Sequence, residues 1–133
     1  FPFGQYSYSG ILIPEIAGVP IAIGFAWAGA LISSFGAVCF LIKFMRIKSI
    51  FYKTAMTGVL MTIFDFFLEI TAVKLSYWSW TDGDIPLINY ISWFAIGSIC
   101  ALSAYHFKIL HREIPILKHF FFSQIIYFVL SAL

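Results

Sequence analysis

Two acids, Asp65 and Glu69, stand four residues apart inside an otherwise apolar stretch over residues 54–73. On a helix that spacing puts both carboxyls on one face, about 6 Å apart at Cβ. Thr54, Gly58 and Thr62 lead into the same face, and Ala72 and Ser76 leave it. Phe64, Phe66, Phe67 and Leu68 occupy the other sides. A carboxylate facing lipid at mid-membrane costs about 2.5–3.5 kcal/mol, so the polar stripe must turn toward a protein interior. Two neighbouring carboxyls kept from water cannot both ionise cheaply, so the pair can hold a proton and deliver it. That is an acid suited to an apolar molecule. The plainer alternative is a helix lock, with the acids paired to Lys53, Lys74 or Asn89.

Asn89 and Trp93 repeat the four-residue spacing in the next apolar segment. A buried Asn needs a partner, and a carboxylate of the preceding segment can supply it. Trp27 and Trp93 could line an aromatic cavity, where ring faces stabilise a cation by about 0.5–2 kcal/mol each. Most of the 16 phenylalanines fit lipid contact or packing instead. Cys39 and Cys100 lie in apolar runs and read as small buried hydrophobes. His106, His111 and His119 surround one basic loop without metal-ligand spacing and read as solvated. No phosphate loop, zinc motif or nucleophile elbow is present.

The elements that position these residues follow from composition. Of 133 residues, 62% are hydrophobic and 11% charged, against about 25% charged in soluble domains. Four apolar segments, at about 16–42, 54–73, 85–105 and 114–133, are long enough to cross a bilayer as helices. The expected fold is therefore all-α: a single transmembrane domain over 1–133, an integral membrane bundle of four helices. Gly18 and Pro20 suit a bent or re-entrant start to the first span. Two small-residue stripes on that span, Gly29/Ser33/Ala37 and Ala22/Ala26/Ala30, predict close helix packing.

Loop charge sets the expected orientation. Lys43, Arg46, Lys48 and Lys53 crowd the first loop without an acid, and Lys108, Arg112 and Lys118 the third beside Glu113. These loops, 43–53 and 106–119, are expected in the cytoplasm and loop 74–84 outside, in a cell membrane such as the bacterial inner membrane. Tyr77, Trp78, Trp80 and Tyr90 flank the outer loop as an interfacial aromatic belt would. Asp82-Gly83 marks a turn, and Pro86 suits the first turn of the third helix. A net charge of +2 gives no ground for a nucleic-acid partner. Phe1 is no initiator residue and Leu133 ends inside an apolar run, as expected of a piece of a longer protein.

The string Asp65-Phe66-Phe67-Leu68-Glu69, then Trp78-Ser79-Trp80, then Ile85-Pro86-Leu87-Ile88-Asn89 with Tyr90 and Trp93, resembles the membrane carotenoid biosynthesis proteins. Gly4-Gln5-Tyr6-Ser7-Tyr8, Gly18-Val19-Pro20 and Trp27 extend the resemblance over nearly the whole chain. It departs where relatives commonly carry Asp-Pro and this chain has Glu69-Ile70, and where Ser92 replaces a frequent Gly. The resemblance implies hydration of a terminal carbon–carbon double bond in an acyclic carotenoid end group. Asp65 and Glu69 would be the catalytic acids. Asn89, Trp93, Trp27, Trp78 and Trp80 would bind substrate. No metal or organic cofactor is implied, and the implied partners are membrane lipid, an apolar carotenoid and other enzymes of the pathway. Three rivals stand beside this reading: a proton-coupled transporter, a non-catalytic membrane subunit, and a magnesium-dependent prenyltransferase, the last lacking a second acid-rich motif.

Overall fold

The computed structural model describes residues 3–109 and 114–133. His111, Arg112 and Glu113 of the third loop lie outside the described residues. The described residues form a four-helix bundle with two short two-stranded sheets. Its order is β1 (Tyr6–Tyr8), β2 (Glu15–Ile16), β3 (Val19–Pro20), α1 (Ile21–Met45), α2 (Ile50–Lys74), β4 (Trp78–Trp80), α3 (Leu87–His106) and α4 (Pro115–Ala132). All four helices are long and apolar enough to cross a membrane.

Apolarity alone would begin the first helix at Ile16, with a bend at Gly18 and Pro20. The structure corrects this. Residues 15–20 form a tight hairpin in which Ile16 pairs with Val19 and the two turn residues, Ala17 and Gly18, both have positive φ. Such a two-residue turn matches strand twist and favours glycine. Pro20, extended at φ −60°, then hands the chain to α1.

Helices α1, α2 and α3 end alike. Arg46, Ser76 and Lys108 take left-handed φ values of 55°, 58° and 54°. The next residue of each, Ile47, Tyr77 and Ile109, donates its N–H to the carbonyl five residues earlier. This closing turn usually places glycine at the left-handed position. A side chain there costs about 1–2 kcal/mol. The turn at Ser76 matters most, because it delivers the chain directly into β4.

Small residues set the helix crossings. A Cβ on Gly97 of α3 would lie 3.2 Å from Gly58 Cα of α2, and one on Gly58 would lie 2.5 Å from the Phe94 carbonyl oxygen. Backbones can approach this closely only where side chains are absent. Between α1 and α4, Gly29 faces Phe120 and Gln124, and the Ser33 hydroxyl meets Gln124 Oε1 at 3.2 Å. That stripe packs as its spacing predicts. The other does not: Ala30 is fully buried, but Ala22 and Ala26 line a cavity. Thr71 of α2 donates to the Phe128 carbonyl of α4 at 3.1 Å.

Strand β1 pairs antiparallel with β4, setting Tyr6 opposite Trp80 and Tyr8 opposite Trp78. The Ser9 N–H on the Tyr77 carbonyl and the Thr81 N–H on the Gln5 carbonyl extend the pairing. Gly4, at φ +118°, lets the N-terminal segment press against Pro86, where a Cβ would come within 2.7 Å of Cγ. The N-terminal segment thus roofs one end of the bundle.

Candidate functional site

Beneath this roof lies a cavity of about 580 Å³, within the range of about 300–1,000 Å³ typical of small-molecule sites. All seven residues singled out from the sequence line it: Asp65 and Glu69 of α2, Trp27 of α1, Asn89 and Trp93 of α3, and Trp78 and Trp80 of β4. The rest of the lining is almost wholly apolar. With a rise of 1.5 Å per residue, Glu69 sits about 7 Å and Asp65 about 13 Å below the strand-bearing end of α2.

The acids share a helix face but not an environment. Asp65 is fully buried and Glu69 4% exposed. Asn89 donates its Nδ2–H to Asp65 Oδ2 at 2.6 Å. Asp65 Oδ1 is buried without a hydrogen-bond partner among the described residues. Glu69 receives two donors on one oxygen: the indole N–H groups of Trp78 and Trp80 both reach Oε2 at 2.9 Å. Indole nitrogen can only donate, and an ionised carboxylate can only accept, so this clamp suits a carboxylate. Of the three partners the sequence offered the acids, Asn89 meets Asp65. Lys74 is exposed and reaches the Ala132 carbonyl at 3.3 Å, and Lys53 lies over the Tyr105 ring.

The aromatic walls are ordered. Trp27 and Trp93 stack with centroids 4.1 Å apart, and Phe3 meets Trp27 edge-on at 5.2 Å. Tyr6 leans on Trp80 at 5.2 Å and Tyr8 on Trp78 at 6.2 Å. Burial, and then the neighbouring Tyr6 hydroxyl, push the Tyr8 phenol above its ordinary value. Trp78 and Trp80 are only 8% and 7% exposed. This corrects their reading as an interfacial belt, because their polar edges turn inward to Glu69.

Sequence reasoning missed the roof residues Phe3, Tyr6, Tyr8, Leu12 and Val19 and the cavity-facing Ala22 and Ala26. A three-residue strand of tyrosine and serine carries almost no periodic signal. The one available clue was the matched aromatic–Ser–aromatic pattern of Tyr6-Ser7-Tyr8 and Trp78-Ser79-Trp80, which pair across the sheet. Neither described histidine lines the cavity: His106 closes α3 and His119 lies on α4. Cys39 and Cys100 are half-buried. Among the described residues, no cluster of three or more His, Cys, Asp or Glu side chains forms.

The fold and site define a membrane-spanning four-helix protein with a paired-carboxyl, aromatic-walled cavity near one end. A family model for carotenoid biosynthesis proteins matches residues 1–131, and the chain belongs to that family. It is therefore a membrane protein with a role in carotenoid biosynthesis. No curated protein and no solved structure matches the chain.

Proposed function

We propose that this protein is a carotenoid hydratase, adding water across a terminal carbon–carbon double bond of an acyclic carotenoid end group. The observation that carries the reading is the pair of buried carboxyls, differently hydrogen-bonded, facing one apolar aromatic cavity. Asp65, with one oxygen unpartnered, is the proton donor. Its proton bonds to the less substituted alkene carbon, the π bond opens, and positive charge develops on the tertiary carbon. The stacked Trp27 and Trp93 line the cavity, and one aromatic face turned to that charge contributes about 0.5–2 kcal/mol. Water oxygen then bonds to the cation and gives up a proton to Glu69, which its two indole donors hold in place. That proton returns to Asp65 one helical turn away. One water is added and nothing is oxidised. Positioned acid catalysis of this kind supplies about 10²- to 10⁴-fold.

The test is expression of the full-length protein in a bacterium that makes lycopene and γ-carotene, with pigments separated and weighed by mass spectrometry. A product heavier by one or two waters, absent with Asp65→Asn although that variant still inserts in the membrane, is the expected result. A fully active Asp65→Asn would sink the assignment of the acid. Unchanged pigments with wild-type protein in the membrane would sink hydration, and proton-coupled transport or a non-catalytic subunit would replace it.

A further inference from the structure

We propose that Tyr6 and Tyr8 position the water that the reaction adds, receiving it at the roof and presenting it to Glu69. This rests on the hydratase reading and names the residues of the same site that handle its second reactant.

The sheet register places both phenols. Residues directly opposite across two strands carry their side chains on one face. Tyr6, Tyr8, Trp78 and Trp80 therefore share a face, and Ser7 and Ser79 the other. The contacts agree. Tyr6 leans on Trp80 and Tyr8 on Trp78, while the two serine hydroxyls meet at 3.3 Å on the far side. The aromatic face is the one that lines the cavity. Its indoles hold Glu69, and its phenols lie beside them with their hydroxyls 3.4 Å apart.

Donor and acceptor chemistry singles these hydroxyls out. A water poised to attack a cation keeps a lone pair free and donates its hydrogens, so it needs acceptors. Indole nitrogens only donate, and those of Trp78 and Trp80 are occupied by Glu69. The Asn89 amide N–H is held by Asp65. Among the described residues, no serine or threonine lines the cavity. Its hydroxyls are those of Tyr6, Tyr8 and Tyr77, all at the strand-bearing end. Glu69 is the acid nearer that end, one helical turn above Asp65. Tyr6 is 37% exposed and Tyr8 half-buried, so the pair runs from solvent to the cavity wall. Burial first, then Tyr6 and the Glu69 carboxyl, push the Tyr8 phenol up. It stays protonated, and its oxygen accepts from water while its O–H still donates.

The test is Tyr6→Phe, Tyr8→Phe and the double variant, in proteoliposomes holding lycopene in heavy water. Ser7→Ala, on the opposite sheet face, is the control. Phe keeps each ring and removes only the hydroxyl. Mass spectrometry reads hydrated pigment and, separately, deuterium in the recovered unhydrated pigment. The second quantity arises without water addition. A deuteron from Asp65 bonds to the alkene carbon, and a cation that meets no water loses a proton from an adjoining carbon to a carboxylate, its C–H electrons forming a π bond again. In the double variant hydrated pigment is expected to fall by about tenfold or more, while deuterium in the recovered pigment holds or rises and Ser7→Ala behaves as wild type. Hydration at the wild-type rate in the double variant would overturn the proposal and leave the hydratase reading standing. An equal fall of hydration and exchange, or an equal loss in Ser7→Ala, would also overturn it, since the phenols would then only support the roof. Wild-type protein that yields neither hydrate nor exchange would overturn both.

Discussion

Replacing Trp78 and Trp80 by Phe, singly and together, tests whether the clamp on Glu69 serves catalysis. Both indole N–H groups reach the same oxygen at 2.9 Å. A hydrogen bond to a charged group contributes about 1.5–3 kcal/mol. If that interaction holds Glu69 as the acceptor of the water proton, losing one donor slows turnover by about 10- to 150-fold, at 1.4 kcal/mol per factor of ten. Phe keeps an aromatic ring in each slot, so Tyr6 and Tyr8 retain surfaces to lean on. The single losses should not add. One remaining donor still satisfies the oxygen, so the second removal costs more than the first. The assay is the rate of hydrated-pigment formation in proteoliposomes over a range of carotenoid concentration, with folded yield measured in parallel. The fall is expected mainly in turnover, because the clamp holds the proton acceptor. A double variant that folds and turns over at the wild-type rate would refute the reasoning.

Other perturbations address the frame that holds the site. Gly58→Ala forces a methyl against the Phe94 backbone carbonyl at 2.5 Å, and should destabilise the α2–α3 pair by about 1–3 kcal/mol, read as a lower melting temperature in detergent. Ser76→Gly relieves a left-handed side chain at φ 58° and should raise stability by about 1 kcal/mol; an unchanged or lower melting temperature counts against strain at that turn. Membrane sidedness follows from loop charge. A cysteine at Ser79 should label with an impermeant maleimide in intact cells, and one at Lys48 only after permeabilisation. The opposite pattern would invert the topology.

Which features the sequence discloses depends on how far their causes reach along the chain. The shared face of Asp65 and Glu69 follows from a local period, and the cost of bare carboxyls in lipid fixes the direction of that face. The partnership of Asn89 with Asp65 follows from the same cost, since a buried amide and a buried acid each need the other. Trp78 and Trp80 are different. In composition they match interfacial aromatics, and nothing within a few residues of them separates the two fates. Their inward turn depends on the left-handed residue at Ser76 and on a strand about 70 residues earlier, where Tyr6 pairs with Trp80. The only local hint of that pairing is the aromatic–Ser–aromatic pattern the two strands share.

The two small-residue stripes of α1 make the same point more sharply. Gly29/Ser33/Ala37 and Ala22/Ala26/Ala30 have equal spacing and similar size, so periodicity treats them alike. A small side chain permits close approach, but it equally leaves room. Against α4, Gly29 and Ser33 admit Phe120 and Gln124, and the stripe becomes a contact. Nearer the strands and on almost the same face, at Ala22 and Ala26, the same chemistry becomes the wall of a cavity. What decides between the outcomes is the pairing of α1 with α4 and of α2 with α3, a property of the whole bundle. The acids are therefore placed by their own helix, but the apolar space they face is made by two helices that do not close on each other.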